Sequence, residues 1–370
     1  MRWVVVGVAV SAACTAYDRI ETQTQQGQDV SRASPPAGGP GGQGGSGGQG
    51  LGGAPTCAEV TTCPGTTSGR WCVETLAGQP AISLEGVWSD GPNDAWAVGW
   101  QTDPNVGTRS SVQLHWDGCA WTDVPNPAPT DFLFARGVWG VAANDVWIVG
   151  DGGGALRFDG KSLHFVPMPL PPDSTVVDIP SASGNASDDI WTGGDQALHW
   201  DGATWTAVPT DTGDPNPYFG DVWSVAPDDV WLAGDQIVAH FDGSSWTVTR
   251  LITGPIGSTS FLYAIWSSGA QAWAAGPGGR IHHFQGGQWT QTVAPTDAGP
   301  LLSDLGGLDG DLHLVGTRAY LDVFTNDAFA PVTDAPPQGG SYSSVWVSPS
   351  QVWVVGANQA GEPMIIRRAR

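Results

Sequence analysis

A Trp-x-x-Gly element returns along the chain as Trp96 with Gly99, Trp147 with Gly150, Trp191 with Gly194, Trp231 with Gly234, Trp273 with Gly276 and Trp353 with Gly356, plus a degenerate copy, His313 with Gly316. The period is about 43 residues, a length at which each repeat is one supersecondary unit that cannot bury its own faces and must stack on neighbours. Ahead of each copy lies the marker of a first strand: Val87-Trp88, Val138-Trp139, Ile179-Pro180, Val222-Trp223, Ile265-Trp266, Leu305-Gly306 and Val345-Trp346. Behind six of them comes an aromatic-Asp-Gly turn or a worn form of it: Trp116-Asp117-Gly118, Phe158-Asp159-Gly160, Trp200-Asp201-Gly202, Phe241-Asp242-Gly243, Phe284-Gln285-Gly286 and Phe324-Thr325-Asn326. Three residues after those turns sit Trp121, Leu163, Trp205, Trp246, Trp289 and Phe329.

Each unit is rich in Val, Trp and Thr and is broken by Asn-Asp, Asp-Asp, Asp-Gly and Gly-Gly pairs, which predicts four short antiparallel strands. Asp-Gly suits the turn between third and fourth strands because tight hairpins need positive φ there. The seventh unit carries segments 344–347, 352–356 and 364–368 but no closing Trp strand, whereas Gly69-Arg70-Trp71-Cys72-Val73 reads as a closing strand with no unit before it. Together they would complete one blade and remove the open edge between first and last units. The expected fold is all-β: a seven-bladed β-propeller of four-stranded antiparallel blades, closed by an N-terminal strand that completes the last blade.

The unit resembles the Asp-box and photosystem-assembly-factor type of propeller repeat, over roughly residues 71–370. It differs in one step, since Asp201 to Trp205 is one residue shorter than the usual Asp-box spacing. It is also similar to degenerate propellers of exported bacterial lipoproteins, a likeness that a single lysine, Lys161, among 14 basic residues suits. Fold kinship of this kind transfers little function.

Ahead of the repeats, Met1-Arg2, the apolar run 3–10 and Ser11-Ala12-Ala13 before Cys14 resemble a bacterial lipoprotein signal. The resemblance implies that residues 1–13 are removed and that Cys14 is the lipidated N-terminus. Thr15 follows instead of the aspartate that retains many lipoproteins in the inner membrane, so an outer-membrane or cell-surface location is expected, with periplasmic or secreted placement as the alternative. Residues 14–56 read as a Gly/Pro-rich tether: 11 of the 20 residues in 34–53 are glycine, too little apolar area to offset the entropy of ordering. Residues 57–75 form a cysteine-containing segment with the closing strand, and residues 76–370, joined by 69–75, form the propeller.

The formal charge is −22. That excludes nonspecific binding to nucleic acid or to an anionic bilayer, both of which need clustered cations; contact with the membrane is expected only through the lipid. Apart from Cys14, the cysteines are Cys57, Cys63, Cys72 and Cys119, an even set in an exported chain. Three pairings are open; Cys57 with Cys63 and Cys72 with Cys119 is preferred, because the second would pin the closing strand to the first blade. No metal is expected at these cysteines, whose spacing lacks a Cys-x-x-Cys.

Most tryptophans fall on repeat positions and read as core; Trp100, on an apparent insertion from 100 to 109, is the candidate exposed contact. His115, His199, His240 and His283 share one third-strand position, too far apart between blades to converge on a metal, and are expected to bond between blades. Asp178, Asp221 and Asp304 each precede a first-strand apolar residue. Lining the channel, they would ring one mouth and attract Ca²⁺ or a cationic ligand; the competing reading is turn capping. The Asn-Asp and Asp-Asp pairs, and Asp151, Asp195 and Asp235 after the unit glycine, read as turn residues. No cofactor is otherwise indicated. The propeller segment holds only Glu74, Glu85 and Glu362, its arginines share no repeat position, and no nucleophile elbow or phosphate loop occurs, so an enzyme is disfavoured. The expectation is a monomeric, noncatalytic scaffold that binds a protein or carbohydrate partner through loops at 125–131, 210–218 and 253–259. A glycan-active hydrolase or lyase and a structural envelope module are the alternatives.

Overall fold

The structure, a computed structural model, describes residues 71–370 except 75, 77–81, 104, 129–133, 170–176, 214–216, 253–260, 295–298, 326–327 and 335–339, together with the backbone of 31–33. That short segment, β1 (Ser31–Ala33), runs parallel to a strand of the third blade.

Seven antiparallel sheets follow one another. Blade one is β3 (Ile82–Gly91), β4 (Asp94–Thr102), β5 (Arg109–Trp116) and β6 (Trp121–Asp123). Blade two is β7 (Phe134–Ala142), β8 (Asp145–Gly152), β9 (Gly154–Phe158) and β10 (Leu163–Pro167), with the two-residue β11 (Val177–Asp178) paired to the end of β8. Blade three is β12 (Ala182–Ala186), β13 (Asp189–Thr192), β14 (Ala197–Trp200) and β15 (Trp205–Val208). Blade four is β16 (Phe219–Ala226), β17 (Asp229–Gly234), β18 (Ile237–Phe241) and β19 (Trp246–Arg250). Blade five is β20 (Ala264–Ser267), β21 (Gln271–Ala275), β22 (Arg280–Gln285) and β23 (Gln288–Val293). Blade six is β24 (Leu302–Leu308), β25 (Asp311–Gly316), β26 (Tyr320–Thr325) and β27 (Ala328–Pro331).

Blade seven joins the two ends of the propeller: β28 (Ser341–Val347), β29 (Gln351–Ala357) and β30 (Pro363–Ala369) are completed by β2 (Cys72–Glu74), with Cys72 opposite Arg367 and Glu74 opposite Ile365. Successive first strands contact one another around the ring, and β28 meets β3 to close it. The seven-bladed propeller and its N-terminal closing strand are therefore as the repeat predicts.

The geometry explains the motif. A bulge in each of five first strands leaves Glu85, Arg136, Gly220, Ser303 and Ser343 as the extra residue, between Leu84 and Gly86, Ala135 and Gly137, Phe219 and Asp221, Leu302 and Asp304, and Tyr342 and Ser344. The bulged strand presses a carbonyl onto the second strand, so a Cβ on Gly99, Gly150 or Gly234 would lie 1.8, 1.8 or 1.9 Å from the carbonyl oxygens of Ser83, Phe134 and Tyr218. Only glycine fits there. The Asp-Gly turns carry positive φ at Gly118, Gly160, Gly202 and Gly243, and each turn aspartate accepts two backbone N–H groups through Oδ1, as Asp242 does from Ser244 and Ser245 at 2.9 and 2.8 Å. Backbone bonds from Ser162 and Lys161 hold the exposed Asp159 carboxyl down at about 2, and the Ser244 hydroxyl together with the backbone N–H groups of Ser245 and Ser244 does the same for Asp242.

The core lies between blades. Among the described residues every tryptophan is buried except Trp121, Trp246 and Trp289, which are partly buried. First-strand indoles also tie neighbours together: Trp223 donates to the Ser267 carbonyl at 2.8 Å, Trp266 to Gly307 at 3.1 Å and Trp346 to Ser89 at 2.8 Å across the closure. Blade three departs from the expected register. Its inner strand begins at Ala182, not at Ile179-Pro180, and Ser183 stands opposite Trp191 where Trp223 stands opposite Trp231.

Candidate functional site

The polar groups of the repeat are used inside each blade. The residue that opens the second strand is an acid two positions before the unit tryptophan, and it meets the third-strand histidine. Asp229 Oδ1 lies 2.8 Å from His240 Nε2 and accepts the Trp231 indole N–H at 2.7 Å, while the His240 ring stacks on Trp231 at 3.9 Å. Asp189, Trp191 and His199 repeat this at 2.8 and 3.1 Å; Asp94 with His115 and Gln271 with His283 are its variants. In blade two Arg157 replaces histidine, paired with Asp145 at 2.9 Å and lying over Trp147. The expected bonding of these histidines between blades is thus corrected: antiparallel pairing puts His240 directly opposite Trp231, so its acid comes from its own blade. Replacing Asp229 by alanine leaves the buried Trp231 indole without its acceptor and should cost about 1–3 kcal/mol, read by urea unfolding; a loss below about 0.5 kcal/mol would mean that water replaces the carboxylate.

Asp221 and Asp304 do not ring a mouth. Both are fully buried. Asp221 Oδ1 accepts from Ser181 Oγ of blade three at 2.7 Å and from its own-blade Val222 N–H at 2.9 Å, and Oδ2 accepts from Ile265 N–H of blade five at 2.7 Å. Asp304 accepts from Leu305 N–H at 2.5 Å and from Val345 N–H of blade seven at 2.7 Å. Ser344 does the same for Val87 across the closure at 3.3 Å. These residues bind one first strand to the next. Asp178 differs because of the shifted register: Ser181 takes the equivalent place in blade three, bonding Val222 N–H at 3.3 Å, and leaves Asp178 further up at the rim.

There Asp178 joins Arg136 and Glu85, which the repeat did not single out, and Asp151, which is not a turn residue as expected but lies on β8. Arg136, the bulge residue of blade two, is only 1% exposed and grips Asp151 with Nε to Oδ1 at 2.7 Å and Nη2 to Oδ2 at 3.1 Å. Its Nε also faces Asp178 Oδ1 at 3.4 Å, and Tyr218, just ahead of blade four, donates to Asp178 Oδ2 at 3.0 Å. Asp151 Oδ1 and Asp178 Oδ1 thus converge on the same Arg136 Nε. Glu85, the bulge residue of blade one, is buried near Arg136 and accepts from Ser83 Oγ at 2.8 Å and the Trp100 indole at 3.2 Å.

All of these sit where first strands begin and second strands end, at one mouth of the channel. Burial raises Glu85 to about 7, opposed by Arg136. Burial also pushes Asp151 well above the carboxylate range, with the Asp178 charge adding to it and Arg136 opposing both. Trp100 is not an exposed contact. It is 8% exposed on β4, under the Arg109 guanidinium at 4.9 Å and edge-on to Phe134 at 5.6 Å, because the apparent insertion is a longer β4–β5 hairpin.

Among the described residues no group of three or more His, Cys, Asp or Glu is placed to hold a metal, and no helix is long and apolar enough to cross a membrane. Cys72 and Cys119 are not free thiols, whereas Cys14, Cys57 and Cys63 and the signal and tether lie outside the described residues.

Fold and mouth together define a seven-bladed β-propeller in which the bulge residues of blades one and two, Glu85 and Arg136, carry opposite charge at one rim. No protein family matches the chain, and no curated protein does. Solved structures of similar fold include YCF48 bound to D1 peptide, at 14% identity and TM-score 0.60, covering 81% of this chain and 95% of that one. YCF48 from Cyanidioschyzon merolae aligns at 14% identity and TM-score 0.56 over 81% of this chain and 98% of that one. The extracellular domain of a putative one component system from B. thetaiotaomicron aligns at 14% identity and TM-score 0.58, over 80% of this chain but 40% of that one. At these identities the likeness is one of fold.

Proposed function

We propose that this propeller is a noncatalytic binding scaffold, exported and held by lipid on Cys14 at the outer membrane or cell surface, and that its partner is a protein presenting cationic side chains. The observation that carries the noncatalytic reading is the Asp151–Asp178 pair. Each of its four oxygens faces a group of the protein itself, Arg136 or Tyr218, and one oxygen of each carboxyl converges on the same Arg136 Nε. Glycosidase carboxyl pairs stand about 5–5.5 or 6.5–9.5 Å apart to admit a sugar or a water. One arginine also falls short of the trio that sialic-acid chemistry uses. The net charge of −22 supports a cationic partner, since complementary potentials steer encounter and penalise like-charged competitors. The peptide held by a propeller of the same fold, YCF48, supports a protein in preference to a glycan. Disulfides pairing Cys57 with Cys63 and Cys72 with Cys119 belong to the same reading, and non-reducing peptide mapping tests them.

The binding experiment is a paired array. Purified protein is applied to cationic peptides and to glycans at 50 and 300 mM salt, alongside a chromogenic glycoside panel. Salt-sensitive retention on the peptides is expected. Glycan binding without peptide binding, or turnover of any glycoside, would overturn the proposal.

A further inference from the structure

Two carboxyls of the second sheet, Asp151 and Asp178, the latter leading on toward blade three, share one buried guanidinium; Glu85 of blade one is buried nearby, and a tyrosine ahead of blade four completes the set. Fully ionised, Glu85, Asp151 and Asp178 carry three negative charges against the single charge of Arg136. Arg136 is enclosed and already shared between two of them at 2.7 and 3.4 Å. Among the described residues, the groups facing this cluster are Glu85 on β3, Arg136 on β7, Asp151 on β8, Asp178 on β11 and Tyr218 before β16. Arg109 on β5 sits behind Trp100 and Phe134. Asp195 follows Gly194, on which the Asp178 carbonyl packs. Bulges often re-aim side chains in this way beside functional sites, and here the two bulge residues, Glu85 and Arg136, come from neighbouring blades.

We propose that Glu85, Arg136, Asp151, Asp178 and Tyr218 form a proton-operated latch that holds the rims of blades one to four together in mildly acidic conditions and slackens as the cluster ionises above neutral pH. The inference does not depend on the identity of any partner.

The direction follows from linkage. Glu85 rises from 4.5 to about 7 in the folded chain, and Asp151 rises from 3.8. Between the unfolded and folded values the folded state holds protons that the unfolded chain has released. The stabilisation is complete below the unfolded values and is lost as pH climbs through about 7. The Asp turns behave oppositely: Asp159 and Asp242 are depressed to about 2, so their contribution is constant above about 4 and changes only at strongly acid pH. The latch therefore dominates the window from pH 5 to 8 at this rim.

The test is amide exchange, corrected for intrinsic rates, and thermal melting of the full chain at pH 5, 6, 7 and 8. Protection at 134–136, 178–182 and 218–220 should fall with pH, by up to about tenfold per pH unit for each proton taken up on closure, with lower Tm at pH 8 than at pH 5. Asp151→Asn should flatten that slope. Should Asp151→Asn fail to fold, Glu85→Gln, which keeps the shape facing Trp100, should flatten part of it. Protection at this rim that is constant or rising from pH 5 to 8, or a wild-type slope kept by either folded variant, overturns the latch.

Discussion

Replacing Asp221 by alanine should destabilise the propeller by about 3–5 kcal/mol, the loss expected when one side of a buried charged hydrogen-bond network is removed. The side chain is wholly enclosed and serves three blades at once, accepting from Ser181 Oγ, Val222 N–H and Ile265 N–H. Alanine removes the charged acceptor that these three donors share at the seam between inner strands. Asp221→Ser should recover part of the loss, because Ser344 already performs the simpler version of the task by accepting from Val87 N–H. Urea unfolding and Tm of both variants give the comparison. A loss under 1 kcal/mol for alanine would mean that solvent reaches the seam. A rise in wild-type Tm with millimolar calcium that disappears in Asp221→Ala would restore the ligand reading of this carboxylate.

The ring could be read from the chain because its determinants recur. Trp-x-x-Gly marks where a bulged strand leaves no room for a Cβ, and Asp-Gly marks where φ must be positive; both are local demands that each blade meets separately. The mouth could not be read in that way. The residue after the unit glycine is Trp100 in blade one and Asp151 in blade two, paired with Ser83 and Phe134, and the bulge residues two positions on are Glu85 and Arg136. Trp100 therefore bonds Glu85 as Asp151 bonds Arg136, two versions of one geometric pair. Departure from the repeat at those two positions was the available signal. It stayed hidden because a bulge adds a residue that periodicity counts as ordinary strand. Asp178 was misplaced for a related reason: blade three enters its inner strand three residues later than the apolar Ile179-Pro180 suggests. The acid–indole–histidine ties were half visible, since the shared histidine position was plain, but their partner lay in a turn pair that propensity alone accounts for.

Deleting residues 57–74 should cost more than any single core substitution, above about 5 kcal/mol, and should make the protein associate. The segment supplies the outer strand of blade seven, pairing Cys72, Val73 and Glu74 with Arg367, Ile366 and Ile365. It also buries Trp71, 5% exposed, against the seventh-blade cluster and beneath the Arg368 guanidinium at 5.1 Å. Glu74 pairs with Arg367, whose guanidinium lies over both Trp116 of blade one and Trp353 of blade seven. Without these residues β30 becomes a seven-residue edge with unpaired N–H and C=O groups, the template along which a second copy can add. Light scattering should then report concentration-dependent oligomers together with a lowered Tm. Trp71→Ala separates the two effects: it should lose about 3–5 kcal/mol through the cavity while keeping the strand, and so remain monomeric. Equal association in both variants would place the cause in lost packing, and an unchanged deletion mutant would show that blade seven is complete without the N-terminal strand.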